Sequence, residues 1–197
     1  MTASRRSMLV LLLLSGAIIS LCMGLRQSLG LYMRPMTTDL GISVATFGFS
    51  IALQNIVWGI SQPLVGALAD KHGARPVLIG TALLYSAGLA LMIFANSFPG
   101  ALQLAGFMAG IGTAGTGFGV LLGTITRATP PEQRSQRVGL VAAAGSLGTF
   151  FMAPFGQFMI DGFGWKAAMA SYALIAGSVA LLSLPIREQP AAAGRAT

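Results

Sequence analysis

The sequence predicts an all-α membrane protein whose six transmembrane helices form two inverted three-helix repeats, and three observations carry that expectation. First, 54% of the 197 residues are hydrophobic and only 9% are charged, where an average soluble domain carries about a quarter charged residues. With a mean hydropathy of +0.76 the chain has more apolar side chain than one core can bury, and lipid is the solvent that accepts the surplus. Second, the charges cut the chain into six apolar stretches, 8–33, 44–69, 76–95, 99–126, 135–160 and 165–186, each near the roughly 20 residues that a crossing requires. Third, the basic residues alternate between sides. With the N-terminus inside, Arg5, Arg6, Lys71, Arg75, Arg127, Arg134, Arg137, Arg187 and Arg195 fall on the inner side, and only Arg34 and Lys166 on the outer. Cytoplasmic loops retain Lys and Arg, so both termini are expected in the cytoplasm, beneath a plasma or inner membrane.

The first stretch opens behind Ser4-Arg5-Arg6 and contains Leu21-Cys22, patterns shared with export and lipoprotein signals. Leu21 is too bulky for the small residue that lipoprotein cleavage needs, and five further spans follow, so a spanning helix is expected. Turn chemistry then separates each span from the next: Thr37-Thr38-Asp39-Leu40-Gly41, Asp70-Lys71-His72-Gly73, Asn96-Ser97-Phe98-Pro99-Gly100, Thr129-Pro130-Pro131-Glu132 and Asp161-Gly162-Phe163-Gly164. Residues 1–189 thus form one bundle, and 190–197 read as a disordered tail or the start of an interdomain linker. The repeat rests on an echo: Pro63, Asp70 and Gly73 return 91 residues later as Pro154, Asp161 and Gly164. Three crossings apart, the two segments run in opposite directions. The alternative is that Pro, Asp and Gly simply collect at helix ends.

Several function classes are excluded at this stage. The net charge of +7 comes from basic residues scattered in ones and twos, not from a stripe that a phosphate backbone could follow, so nucleic acid is no partner. One cysteine, Cys22, and one histidine, His72, form neither a disulfide nor a metal cluster, and no cofactor is expected. No His, Asp or Glu lies at membrane depth to serve as catalytic acid or base, so an enzyme is not expected.

At the junction of the second and third spans stands Gly66-Ala67-Leu68-Ala69-Asp70-Lys71-His72-Gly73-Ala74-Arg75-Pro76-Val77-Leu78. Gly66 permits close helix contact, Asp70 places an anion at a helix end, Gly73 allows a tight reversal, and Lys71 and Arg75 hold the turn inside. A plain solvated turn would carry the same charges. The segment resembles the signature loop of the major facilitator superfamily, Gly-x-Leu-Ala-Asp-basic-x-Gly-basic-basic-x-x-Leu, departing at Ala74, where the family is usually basic. The resemblance implies an inner gate at Asp70, supported by Arg75, between two six-helix halves. This chain resembles the N-terminal half, so a second half, in the same gene or a separate chain, is an implied partner. The basic loop Gln133–Gly139 resembles the family's loop at that place, and the segment around Pro154 partly matches the Gly-Pro motif of its antiporters. Gly106, four residues before Gly110, stands where the family's proton-coupling pattern has Arg. The stretch Gly24–Tyr32, with Gly164-Trp165-Lys166, is most similar to the monocarboxylate and oxalate/formate branch.

Arg26 is the leading site candidate, with Gln27 beside it. An unpaired charge at membrane depth costs roughly 2.5 to 3.5 kcal/mol even on the lenient insertion scale, and no acid lies within these spans to offset it. A carboxylate solute, gripped by the planar guanidinium, is the expected counter-ion; the alternative is an arginine that snorkels to the outer headgroups. On the second span Gln54, Asn55, Trp58 and Gln62 form a polar stripe, lining a cavity or joining helices by hydrogen bonds. The fourth span holds Gly106, Gly110, Gly112, Gly115, Gly117, Gly119 and Gly123. Gly110-Ile111-Gly112-Thr113-Ala114-Gly115 formally fits a dinucleotide fingerprint, but it lacks the strand and soluble βαβ unit that motif needs. A groove for close backbone approach is expected instead. In the fifth span Ala142, Gly145, Ser146, Thr149, Ala153 and Gly156 offer a similar face, and Pro154 is expected to kink the helix and let it flex.

Taken with the resemblance, these residues imply secondary active transport of a small, anionic, monocarboxylate-like solute by alternating access. The alternatives are a non-transporting six-helix scaffold or truncated half-transporter, and efflux of drug-like compounds.

Overall fold

The computed structural model describes residues 2–96, 98 and 100–186, with side chains from Ser7 onward. Expectations for Ser97, Pro99, the side chains of Arg5 and Arg6, Arg187, Arg195 and the tail 190–197 lie outside the described residues. The chain is helical nearly throughout: α1 (Thr2–Ser28), a 3-10 turn (Leu29–Tyr32), α2 (Met33–Leu40), α3 (Val44–His72), α4 (Ala74–Ile93), α5 (Ala101–Thr116), α6 (Phe118–Ala128), a 3-10 turn (Pro131–Gln133) and α7 (Arg134–Leu182). Among the described residues, five helical runs are long and apolar enough to cross a membrane: 7–40, 44–72, 74–93, 101–128 and 131–182.

Three expected boundaries shift. The first run passes through Thr37–Leu40, expected as a turn, because α2 carries it on until Gly41 turns left-handed at φ 62°; the Thr37 and Thr38 hydroxyls both donate to the Arg34 carbonyl and hold this last turn. The fourth run, expected continuous, breaks at Gly117, whose φ of −88° and ψ of −161° divide α5 from α6. No proline is involved. The turn expected at Asp161–Gly164 shrinks to one residue: the backbone stays helical through Pro154 and up to Phe163, and only Gly164 departs, with φ 81° and ψ 161°. A side chain at that φ and ψ would strain the backbone.

Gly164 has a counterpart. Gly73, between α3 and α4, adopts φ 92° and ψ 151°, nearly the same conformation, at the matching place in the Pro-Asp-Gly echo. A straight helix of α7's 49 residues would run about 74 Å, and contacts along α1 reveal how it is folded back. The backbone at Gly148 meets Ser20 and Gly24, Gly156 approaches Leu31, and Trp165 reaches Asp39. Seven residues further on, Tyr172 is back at Ser28, its hydroxyl 2.8 Å from the serine oxygen.

Small residues set the packing. A Cβ on Gly148 would lie 1.7 Å from the Ser20 carbonyl oxygen, so α1 and α7 cross backbone to backbone there. The expected groove in the fourth span is present: Gly106 and Gly110 admit α3 at Ser50 and Gln54, while Gly112 and Gly115 admit α4 at Tyr85 and Thr81. On α7 the packed small residues are Gly145, Gly148 and Gly156, and Ser146 is exposed instead. Around this interior the surface is apolar. Phe150 is 71% exposed, Leu174 75% and Leu64 68%, a distribution that water would not tolerate over so many large side chains.

Candidate functional site

Arg26 lies on the last turns of α1 and is half-buried. Its Nη2 donates to Asn55 Oδ1 at 2.6 Å, and its Cζ lies 4.2 Å from the centroid of the Trp58 ring. Asn55 and Trp58, three residues apart on α3, share one helix face. Asn55 Nδ2 donates to the Ile51 carbonyl at 2.8 Å, which leaves the amide oxygen for the guanidinium. Neither described ion pair includes Arg26, so a neutral carbonyl and a π face hold this cation. The side chain is turned onto α3. Buried donors remain unsatisfied here: Arg26 Nε, Gln54 Nε2 and Trp58 Nε1 have no hydrogen-bond partner.

The remaining polar residues named from the sequence fall differently. Gln54 is buried, 1% exposed, on the side of α3 that meets α5. Gln62 is half-buried and Gln27 exposed, and neither hydrogen-bonds to Arg26. Of the four polar residues expected on this stripe, Asn55 and Trp58 are the two that meet Arg26, because the guanidinium reaches both side chains at once.

At one end of the bundle Asp70 Oδ1 accepts from Arg127 Nη1 at 2.7 Å. The support expected from Arg75 comes from Arg127 on α6 instead: Arg75 is exposed and forms no ion pair with Asp70. Lys71 is likewise exposed, and Gly73 makes the tight reversal expected of it. A Cβ at Gly66 would meet nothing within 4 Å, so this glycine makes no close helix contact inside the bundle; its face of α3 is uncovered. Pro154 is exposed on α7.

The opposite end carries a network that the sequence alone did not single out. Asp39 Oδ2 accepts from Trp165 Nε1 at 3.0 Å and lies 3.3 Å from Lys166 Nζ. Two clefts open at this end, one of about 400 Å³ beside Ile42, Asn96 and Gln103, the other of about 630 Å³ beside Arg34, Asp39, Gln157 and Asp161. Neither reaches Arg26. Also unanticipated is the fate of the three tyrosines, Tyr32, Tyr85 and Tyr172, each fully buried. Tyr32 and Tyr172 meet edge to face at 5.2 Å, and the Tyr172 hydroxyl lies 2.8 Å from both Ser28 Oγ and the Met152 carbonyl. A hydroxyl inside an apolar span was the available signal.

The family model of the Major Facilitator Superfamily matches residues 12–197. The chain belongs to this superfamily. It is 32% identical to monocarboxylate transporter 11 of Mus musculus over 86% of this chain and 36% of that protein. It is 31% identical to the oxalate:formate antiporter of Oxalobacter formigenes over 84% of this chain and 40% of that protein. The chain thus spans between a third and two fifths of the length of these relatives. The solved structure of the POT family transporter PepTSo superimposes with a TM-score of 0.68 at 16% identity, over 94% of this chain and 39% of that one, a likeness of fold. The two relatives are thus a transporter and an antiporter by name, and the described residues of this superfamily member hold five helical runs fit to cross a membrane.

Proposed function

We propose that this superfamily member forms the N-terminal half of a secondary transporter that moves a small carboxylate by alternating access. The two arms of α7 on either side of Gly164 would be separate crossings, giving six in all, and residues 1–189 would form one bundle, with 190–197 starting a linker to a second half. The closely similar conformations of Gly73 and Gly164 and the folding back of α7 along α1 support two inverted three-helix repeats. The nine-to-two distribution of basic residues supports cytoplasmic termini beneath a plasma or inner membrane.

One observation carries the substrate class: Arg26, inside the first span, is held only by neutral groups. A charge in that position calls for a counter-ion, and a carboxylate fits the planar fork. The names of the monocarboxylate and oxalate:formate relatives point the same way. Asn55 and Trp58 would orient the guanidinium, while Gln54, Gln62 and Gln27 would line the rest of the cavity, which the second half completes. Asp70, with Arg127, would form the gate on the cytoplasmic side, flanked by Gly66, Lys71, Gly73 and Arg75. Pro154 would let α7 flex as the halves rock.

The test is uptake of labelled L-lactate by vesicles containing the full-length protein. Saturable uptake that Arg26→Gln abolishes is expected. Unaltered affinity in Arg26→Lys, whose ammonium lacks the bidentate fork, would remove Arg26 from the anion site.

A further inference from the structure

The surroundings of Arg26 hold more unpaired donors than the residues of α1 and α3 account for. Tyr85 of α4 is fully buried, and its hydroxyl has no hydrogen-bond partner. The neighbouring hydroxyl of α5, Thr113 Oγ1, donates to the Ala109 carbonyl and not to it. Gly112 lets the α5 backbone press directly on Tyr85, where a Cβ would stand 2.5 Å from the tyrosine Cβ. The ring is thereby pinned toward the interior.

One turn beyond Thr113 the helix breaks at Gly117, and no side chain caps the first turn of α6. A Cβ at Gly117 would lie 3.8 Å from Trp58 Nε1, itself buried and unpaired. The face of the same indole carries the Arg26 guanidinium, so Trp58 links the cation to the break. The orphaned groups near this point, Arg26 Nε, Gln54 Nε2, Trp58 Nε1 and the Tyr85 hydroxyl, can all donate, and only tyrosine can also accept. Leaving them unmet is costly where no bulk water reaches. A ligand rich in acceptor oxygens would satisfy them.

We propose that Tyr85 is a further ligand-binding residue of this site, its hydroxyl joining the Trp58 indole N–H and Arg26 in a donor cluster that closes around a carboxylate beside the helix break at Gly117. This rests on the reading of Arg26 as the anion-binding residue.

Calorimetric titration of the full-length protein in nanodiscs with L-lactate, and with lactamide as its neutral analogue, tests both. The protein is expected to bind lactate and not lactamide, and Arg26→Gln to bind neither. Tyr85→Phe should weaken lactate binding about tenfold or more, as loss of a hydrogen bond to a charged group does. Its ligand-free Tm should stay level or rise, because the hydroxyl removed has no partner to lose. Trp58→Phe, which keeps a ring beneath the guanidinium but loses the N–H, should also weaken binding; wild-type lactate affinity in that variant overturns the donor cluster, whether or not Tyr85→Phe folds. Wild-type affinity in Tyr85→Phe, with Arg26→Gln inactive, overturns the role of Tyr85 and leaves that of Arg26. A Tm that falls with affinity assigns Tyr85 to packing and overturns it too. Absence of lactate binding by the unmodified protein overturns both readings.

Discussion

Gly73 and Gly164, 91 residues apart, hold nearly the same backbone conformation, φ 92° and ψ 151° against φ 81° and ψ 161°. Each ends a helix that carries a proline ten residues earlier and an aspartate three residues earlier. That region of φ and ψ is open to glycine and strained for other residues by about 1–3 kcal/mol. Gly73→Ala and Gly164→Ala are therefore expected to lower the Tm by similar amounts in detergent-purified protein. Gly162→Ala, where φ is ordinary and a Cβ meets nothing within 4 Å, should leave it unchanged. A loss at one glycine and none at the other would break the equivalence of the two turns.

Backbone contact between α1 and α7 makes a second expectation. The methyl of Gly148→Ala would stand 1.7 Å from the Ser20 carbonyl oxygen, and only separation of the two helices relieves it. Overpacking of this kind costs about 1–3 kcal/mol. A marked fall in Tm, or loss of the folded fraction on size exclusion, is expected. Gly139→Ala, nine residues earlier on the same helix, faces open space and should be neutral or slightly stabilising, since alanine is the better helix former.

The Asp70–Arg127 pair is exposed, its side chains 66% and 45% accessible, and exposed pairs contribute only about 0–1 kcal/mol to stability. Its loss should therefore register in transport and scarcely in melting. Asp70→Asn and Arg127→Gln are each expected to slow lactate uptake about tenfold with Tm nearly unchanged, and Asp70→Arg combined with Arg127→Asp to recover part of the rate. Uptake at the unmodified rate in both single variants would show that the pair takes no part in gating.

Residue order was enough to reveal a membrane protein, its all-helical class and the signature loop of the superfamily. These follow from composition and spacing, which hydrophobic transfer and helix rise convert directly into crossings. The glycine groove of α5 was legible for a like reason, because small residues at close intervals have few other uses in lipid.

What the linear order left open depends on which helix faces reach one another. Arg127 rather than Arg75 meets Asp70, because the end of α6 lies over the turn between α3 and α4, a proximity no local spacing encodes. Asn55 and Trp58 were candidates on a stripe, but only the reach of the Arg26 side chain from α1 to α3 selects them from Gln54 and Gln62. The burial of Tyr85, the break at Gly117 and the Asp39–Trp165 contact arise in the same way. Along the chain, sequence determined where apolar surface must be buried; which polar groups share that interior was decided only by packing, since a side chain's partners in a bundle come mostly from helices distant in sequence.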